Sequence, residues 1–306
     1  MPEISFDFQQ YIAQRKGAED ALARSGAAYA YPGDQKVLRA LGRVTPVTLA
    51  VEATVRLWKS VARSQILGTA VKVSDKQFPE IYRTAAHCAE TLHIPLPTVY
   101  VLPDVGSLNA HTFGTNEDSF IALNAVLVDH LDAEELRFVI GHECGHIQNS
   151  HVVYLTALHY LMYSANLFVR WIVKPATLAL QSWTRRAELT ADRAGLICCG
   201  DLSHSLRALT RLALGSRSLA DQLDLDEYLK QLDESEEGAG RVVEALQSHP
   251  YVPKRVQALR YFSQTHYFLK AAGKNPSEGE GKSLAWCDAQ TKKLVSIFSG
   301  RGDSKE

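Results

Sequence analysis

Two histidines four residues apart, His142 and His146, form the H-E-x-x-H pattern with Glu143 directly after the first of them. On an α-helix, positions i and i+4 lie on the same face, so both imidazoles can reach one ion. Catalytic Zn²⁺ sites use three protein ligands and leave a fourth position for water. Glu143 lies about 100° around the helix from His142, where it can take a proton from water and pass it to a leaving amine. The pattern therefore predicts one Zn²⁺ per chain and hydrolytic chemistry.

These residues must lie on a helix, and the sequence just before them predicts where that helix begins. Asp132 is followed three residues later by Glu135, which is the capping-box arrangement. Apolar residues then recur at helical spacing at Leu136, Phe138, Val139 and Ile140. We predict a helix from about Asp132 to beyond His146. The alternative, a surface helix that carries two histidines by chance, does not account for this apolar face.

The metal needs a third protein ligand, and Glu188 is the best candidate. Glu188 and Asp192 repeat the i, i+4 spacing on a second predicted helix. Glu188 can bind the metal, while Asp192 can hold the distal ring nitrogen of a ligand histidine and fix its tautomer. The alternative is a surface helix on which Arg185 and Arg186 pair with the two acids.

Composition bounds the class of protein. The chain has 306 residues, of which 46% are hydrophobic and 22% charged, as in ordinary globular proteins. The net charge of −1 provides no basic field, so we expect no nucleic-acid partner. Five cysteines, an odd number without framework spacing, indicate reduced thiols and a cytoplasmic setting. Residues 1–10 lack the basic and apolar regions of a secretory signal.

One apolar segment has nearly the length of a membrane span. Residues 152–169 contain no Asp, Glu, Lys or Arg, but they include His159 and Asn166, and Arg170 follows. The preferred interpretation is a long buried helix that continues from the zinc helix. Peripheral membrane contact or self-association through 152–183 is the alternative.

The rest of the chain predicts a mainly helical α+β fold, with a small sheet packed on the zinc helix and a long helical hairpin after it. We divide it into an N-terminal extension (1–34) ending in the turn Tyr31-Pro32-Gly33-Asp34, a main domain (35–270), and a linker with a tail helix (271–306). The predicted strands are 98–102, 108–113 and 119–123. The predicted helices lie within 35–70 with a break near Pro46, at 78–92, in the hairpin turning near Pro175, and at 206–214, 219–232, 241–247, 255–268 and 284–298.

Three motifs, in order, resemble a known family. His142-Glu143-Cys144-Gly145-His146 is followed by Glu188-Leu189-Thr190-Ala191-Asp192, and then by His249-Pro250 with Arg255. Their order and spacing, over roughly residues 35–265, resemble the HtpX- and CAAX-prenyl-endopeptidase-type zinc metallopeptidases of the gluzincin group. The resemblance implies a zincin-like fold and a zinc-dependent endopeptidase.

The resemblance also implies roles for the individual motif residues. It makes Glu188 the third metal ligand, with Asp192 as its partner. His249 is placed near the metal, where it can stabilise an oxyanion, and Arg255 anchors the His-Pro loop. Asn109-Ala110-His111-Thr112-Phe113 resembles the sheet edge that pairs with an extended peptide, so Asn109, Ala110 and His111 are expected to bind substrate.

Two departures from the family pattern matter. Cys144 stands where the family usually has an apolar residue, and it should point away from the metal. Relatives often have two membrane spans between the first two motifs, whereas here Arg170 and Lys174 interrupt that interval, which indicates a soluble or peripherally attached member. The remaining histidines are expected to be structural or exposed, with His151 continuing the zinc helix off the ligand face; they are His87, His93, His111, His130, His151, His159, His204 and His266.

The sequence therefore predicts a zinc-dependent endopeptidase acting on extended or unfolded protein segments, with Glu143 as general base and then general acid. The alternative is a latent or non-catalytic zinc-binding scaffold that docks a partner through the apolar hairpin. In a latent form, His249 itself could occupy the open zinc position.

Overall fold

Helices dominate the computed structural model of the protein, and a small sheet lies among them. The structure describes residues 27–43, 45–57, 64, 68–103, 106, 108–115, 118–163, 167–235, 251–274, 276–277 and 280–295. Its helices are α1 (Pro32–Leu41), α2 (Thr45–Leu57), α3 (Pro79–Thr91), α4 (Ala125–His130), α5 (Ala133–Gln148), α6 (Val152–Tyr163), α7 (Leu167–Cys199), α8 (Leu202–Leu214), α9 (Arg217–Ala220), α10 (Leu225–Ser235), α11 (Val252–Ser263), α12 (His266–Ala271) and α13 (Leu284–Val295). Its strands are β1 (Val71–Lys72), β2 (Thr98–Leu102), β3 (Ala110–Gly114) and β4 (Ser119–Asn124). The predicted mainly helical α+β fold is confirmed.

The strands form one mixed sheet with the order β1-β2-β4-β3. β2 and β4 are parallel, with Val99 opposite Ile121, whereas β3 runs antiparallel to β4, with Thr112 opposite Ile121. Among the described strands, β3 therefore lies at the end of the sheet, where it contacts α5 and α6. The predicted strand 98–102 is confirmed, and the short strand β1 was not predicted.

Helix α5 is the zinc helix of the sequence analysis, and its predicted start is confirmed. The Asp132 carboxylate accepts a hydrogen bond from the Glu135 backbone N–H, and the Glu135 carboxylate accepts one from the Asp132 N–H, each at 2.9 Å. The helix ends at Gln148, so the prediction that it continues through the apolar segment is wrong. Asn149 donates to the Gly145 carbonyl at 2.9 Å, and Ser150 adopts the left-handed conformation with φ 59°, which stops the helix.

The helical hairpin after α5 is present, but its predicted turn near Pro175 is wrong. Helix α6 ends at Tyr163 and α7 begins at Leu167, so Pro175 lies inside α7. Proline inside a helix removes one backbone hydrogen bond at a cost of about 3 kcal/mol. Burial of the next turns of α7, at Ala176, Leu180 and Trp183, offsets that cost.

Within the described ranges, no helix is both long enough and apolar enough to cross a membrane. Contact of residues 152–183 with a membrane surface, or with a second copy, stays a prediction.

Other element boundaries follow from side chains that accept backbone N–H groups. Asp201, Asp224 and Thr265 do so at the starts of α8, α10 and α12, respectively. For this reason the helices predicted at 219–232 and 255–268 are each divided in two, and α8 begins before its predicted first residue. The predicted helix 241–247 lies outside the described residues.

The predicted turn at residues 31–34 is wrong, because Pro32 is the first residue of α1. Proline suits this position because its missing N–H would have no partner within the helix and its fixed φ is already helical. Helix α1 buries Leu38 and Leu41 against α2, α6 and α7. Helix α4 was not predicted.

Helices α5 and α7 pack closely because glycines lie between them. A Cβ atom at Gly141 would lie 2.6 Å from Cys198 Cβ, and one at Gly145 would lie 2.6 Å from Ala194 Cβ. Both distances are shorter than van der Waals contact, so side chains at these positions would push the helices apart. The close approach places the histidines of α5 beside the acids of α7.

Arg193 on α7 ties both terminal parts of the described chain to the helix pair. Its guanidinium donates to the Tyr29 carbonyl at 3.0 Å and to Asp288 of α13 at 2.8 Å. The same guanidinium lies 5.7 Å from the ring centre of Tyr31 and 5.1 Å from that of Phe262, within cation–π range. Residues 27–31 and α13 are thus attached to the helix that carries Glu188.

Candidate active site

The structure brings the three predicted metal ligands together. His142 Nε2 lies 3.2 Å from His146 Nε2, and the Glu188 carboxylate oxygens lie 3.6 Å from the first nitrogen and 3.5 Å from the second. All three side chains are buried. The two helices therefore converge on a cluster of three potential ligand atoms.

The distances within this cluster fit a tetrahedral divalent ion. Metal–ligand bonds of about 2.0–2.1 Å imply ligand–ligand distances of about 3.3–3.4 Å in a tetrahedron. The ring nitrogens of His142 and His146 are 3.2 Å apart, and they lie 3.6 Å from Oε2 and 3.5 Å from Oε1 of Glu188, respectively. All three distances lie close to that value, with the last two ending on different oxygens of the carboxylate. Two imidazole nitrogens and a carboxylate are also the donor types that zinc and related ions prefer.

Asp192 sits where the sequence predicted a partner for a ligand histidine. Its Oδ1 lies 3.0 Å from His142 Nδ1. Because an ionised carboxylate can only accept, Nδ1 carries the proton, and in the neutral ring Nε2 keeps its lone pair for a metal. Burial alone would raise the pKa of Asp192, but the charge and hydrogen bonds of Arg255 and the contact with His142 lower it, so this acceptor is ionised.

Arg255 holds both acids of α7. It donates to Asp192 Oδ2 through Nε at 2.8 Å and to Oδ1 through Nη2 at 2.6 Å, while Nη1 lies 3.2 Å from Glu188 Oε2. The family resemblance implies that Arg255 anchors the His-Pro loop. Residues 249 and 250 lie outside the described residues, so that contact and the role of His249 stay predictions.

The two predicted ligand histidines have opposite tendencies to take up protons. Burial disfavours the charged form of both rings. The pKa of His142 is nevertheless raised, because the hydrogen bond with Asp192 and the charges of Glu188 and Asp192 outweigh burial. The pKa of His146 is lowered by burial, in spite of Glu188.

Glu143 lies beside the ligand cluster and has a partner that the sequence analysis missed. Thr112 of β3 donates from Oγ1 to Glu143 Oε2 at 2.5 Å. Alternation along β3 buries Thr112 toward α5 and leaves His111 exposed. The sequence shows that Thr112 and His111 lie on opposite faces of the strand, but it does not show that the face of Thr112 packs against α5.

The predicted substrate-binding residues line the same cleft as the ligand cluster. Asn109, Ala110 and His111 form one side of it, along β3. Leu155, Leu158 and Met162 of α6 form an apolar wall of the same cleft. The cleft therefore combines residues of β3, the polar residues of the ligand cluster and an apolar wall.

The structure corrects the expectation for His151. This residue follows the end of α5 and is fully buried, and its Nδ1 lies 3.0 Å from Nδ1 of the ligand His146. Because Ser150 reverses the chain direction, a residue five positions after His146 returns to it. Helical periodicity could not predict this contact.

Cys144 points away from the ligand cluster, as predicted. It is buried in the main hydrophobic core with Cys88 and Cys198, and burial raises the pKa of its thiol. All five cysteines are free, in agreement with the prediction of reduced thiols.

A helix with H-E-x-x-H, a second helix with a third ligand and an adjacent sheet together define a metallopeptidase-type fold and site. Residues 75–263 match the family model described as Peptidase family M48, and the chain belongs to that family. The predicted resemblance to HtpX-type peptidases is confirmed.

Curated relatives carry consistent names. The chain is 35% identical over 169 residues to the plastoglobule-localized metallopeptidase 48, chloroplastic, of Arabidopsis thaliana. This match covers 54% of the chain and 49% of the relative. The chain is also 34% identical over 100 residues to a protease HtpX homolog of Streptococcus gordonii, and this match covers 32% of the chain and 33% of the relative. The chain thus spans half or less of the length of these relatives. No solved structure matches it.

Proposed function

We propose that the protein is a zinc-dependent endopeptidase that cleaves extended or unfolded protein segments. The observation that carries this proposal is the buried cluster of His142, His146 and Glu188, which lines one cleft together with Glu143. Membership of Peptidase family M48 and the names of the relatives support the same chemistry.

A bound Zn²⁺, held by His142, His146 and Glu188, would supply Lewis-acid polarisation of the scissile carbonyl and of the attacking water. Glu143 takes a proton from that water and then delivers it to the amine nitrogen of the departing peptide. Thr112 holds Oε2 of this carboxylate, which leaves Oε1 for the proton transfer. Asp192 and Arg255 keep His142 and Glu188 in place.

The substrate would bind as an added strand along β3. Asn109, Ala110 and His111 would contact its backbone, because an extended peptide can hydrogen-bond to a sheet edge. The apolar wall of Leu155, Leu158 and Met162 would receive a hydrophobic side chain. His249 is proposed to stabilise the oxyanion.

The direct test is cleavage of an unfolded protein by purified, zinc-loaded chain. Casein should be degraded, the chelator 1,10-phenanthroline should stop the degradation, and added Zn²⁺ should restore it. Gel electrophoresis over time measures the loss of intact casein. Binding of zinc without chelator-sensitive cleavage would instead favour the non-catalytic scaffold.

Replacement of Thr112 by valine tests the positioning of Glu143. Valine keeps the shape but removes the hydroxyl, so the buried carboxylate loses its donor at 2.5 Å. We expect kcat to fall about tenfold with KM little changed, since one hydrogen bond contributes about 1–2 kcal/mol. Steady-state kinetics on a quenched fluorescent peptide measures both constants. Thr112→Ser, which keeps a hydroxyl, should retain most of the activity; a serine variant as slow as the valine variant would contradict the role.

A further inference from the structure

We propose that Asp34 and His151 are positioning residues that set the tautomer of His146, so that α1 completes the metal centre. The inference rests on the proposed metal site and goes beyond it. It assigns a function to an element that precedes the region matched by the family model, which begins at residue 75.

The first step is the contact between the two histidines. His146 Nε2 faces His142 and Glu188, and its other ring nitrogen, Nδ1, lies 3.0 Å from His151 Nδ1. The two rings meet edge to face, with centres 5.2 Å apart. Because both nitrogens are buried, one of them must donate to the other.

The second step decides which nitrogen donates. His151 Nε2 lies 3.0 Å from Oδ2 of Asp34, a carboxylate with no exposed surface. The contact has the distance of an ion pair without the full geometry of a hydrogen bond, and Nε2 has no other polar partner among the described residues. The same carboxylate accepts from Trp183 Nε1 at 2.8 Å and from Thr190 Oγ1 at 2.7 Å. Since hydrogen bonds donated to both oxygens favour the charged form of a carboxyl group, these two contacts make Asp34 an acceptor.

The proton positions follow from this arrangement. When the ring of His151 is neutral, the nitrogen that faces Asp34, Nε2, carries its proton, because Asp34 can only accept, and Nδ1 has a lone pair. The proton in the Nδ1–Nδ1 contact must then belong to His146. His146 therefore keeps an unprotonated Nε2 directed at the ligand cluster, which is the form that binds a metal.

The two ligand histidines are thus set in different ways. His142 is held directly by Asp192, whereas His146 is held by Asp34 through an intervening imidazole. Outer partners of this kind typically contribute 10–100-fold to metal affinity. We therefore expect tight metal binding to require Asp34 of α1 as well as the three predicted ligands.

Zinc affinity of the full chain, measured by competition with a chromophoric chelator, tests this proposal. Asp34→Asn should raise the Kd for Zn²⁺ about 10–100-fold, because an amide can donate to His151 Nε2 and reverse both tautomers. Asp226→Asn is the matched control: it makes the same chemical change at an exposed acid that pairs with Arg260, and it should change the affinity less than threefold. Equal affinities of Asp34→Asn and wild type would overturn the proposal.

A second pair of variants covers the case in which Asp34→Asn does not fold. His151→Phe removes the acceptor for His146 Nδ1–H and should weaken zinc binding to a similar degree, whereas His151→Gln offers an amide oxygen and should recover part of the affinity. Equal losses in the two variants would contradict the assigned role. Circular dichroism of each metal-free variant verifies folding.

Long-range ¹H–¹⁵N spectra of the metal-free wild type report the tautomers of His146 and His151 directly. If Asp34 and His151 served only to stabilise the fold, they would not determine these tautomers. We expect His146 protonated on Nδ1 and His151 on Nε2; the reverse pattern overturns the proposal. Zinc binding without peptide cleavage would refute the proposed function and leave this inference intact. If the chain bound no zinc, the proposed metal site would fail, while the spectra would still decide the tautomers.

Discussion

Replacement of Glu143 by glutamine is expected to abolish peptide cleavage while the chain still binds about one zinc ion. Glutamine has the size of glutamate, and its amide oxygen can still accept from Thr112, so the buried site keeps its shape. The amide cannot take a proton from water, which removes general base and general acid together. We expect kcat to fall by about 10²–10⁴. Peptide kinetics and elemental analysis measure the two quantities on one preparation.

A control variant on the same helix separates chemistry from stability. Glu134 of α5 is partly exposed, pairs with Arg137 at 2.7 Å and does not belong to the residues that line the cleft. Glu134→Gln loses the same charge but should keep wild-type kcat, because a surface ion pair contributes little to stability. Full cleavage by a pure Glu143→Gln preparation would refute the role of Glu143.

The second large effect is expected from the third ligand. Glu188→Gln replaces a carboxylate by a neutral amide, which is a much weaker zinc ligand, and also leaves Arg255 Nη1 without its partner at 3.2 Å. We expect the Kd for Zn²⁺ to rise by more than about 100-fold, beyond the 10–100-fold range of outer partners. Competition with a chromophoric chelator measures the affinity.

Two further variants define this prediction. Glu188→Asp keeps the charge on a shorter side chain and should bind zinc with an intermediate affinity. Asp192→Asn, which alters a partner of His142 rather than a ligand, should lose less affinity than Glu188→Gln. An unchanged affinity in Glu188→Gln would show that the ion is held by other residues.

Local sequence signals predicted the parts of the site that lie within single elements. The capping box of Asp132 and Glu135 marked the start of α5, and the i, i+4 spacings identified the ligand cluster that the structure assembles. The β-branched residues Thr98, Val99 and Val101, followed by Pro103, located strand 98–102. Each of these signals depends on residues only a few positions apart.

The contacts that the sequence did not predict join residues far apart in the chain. Thr112 meets Glu143 across 31 positions, and Asp34 meets Thr190 across 156. Such contacts depend on how β3 and α1 pack against α5 and α7, which no local pattern records. The wrong turn at Pro175 has the same origin, because tertiary packing outweighs the local preference of proline.

The attachment made by Arg193 has a consequence for how the molecule can be divided. Its hydrogen-bond acceptors at Tyr29 and Asp288 both lie outside the stretch 75–263 shared with the family. A chain trimmed to that stretch would lose both of these acceptors of the buried guanidinium. We therefore expect the part of the chain needed for a stable fold to extend beyond the segment recognisable by homology.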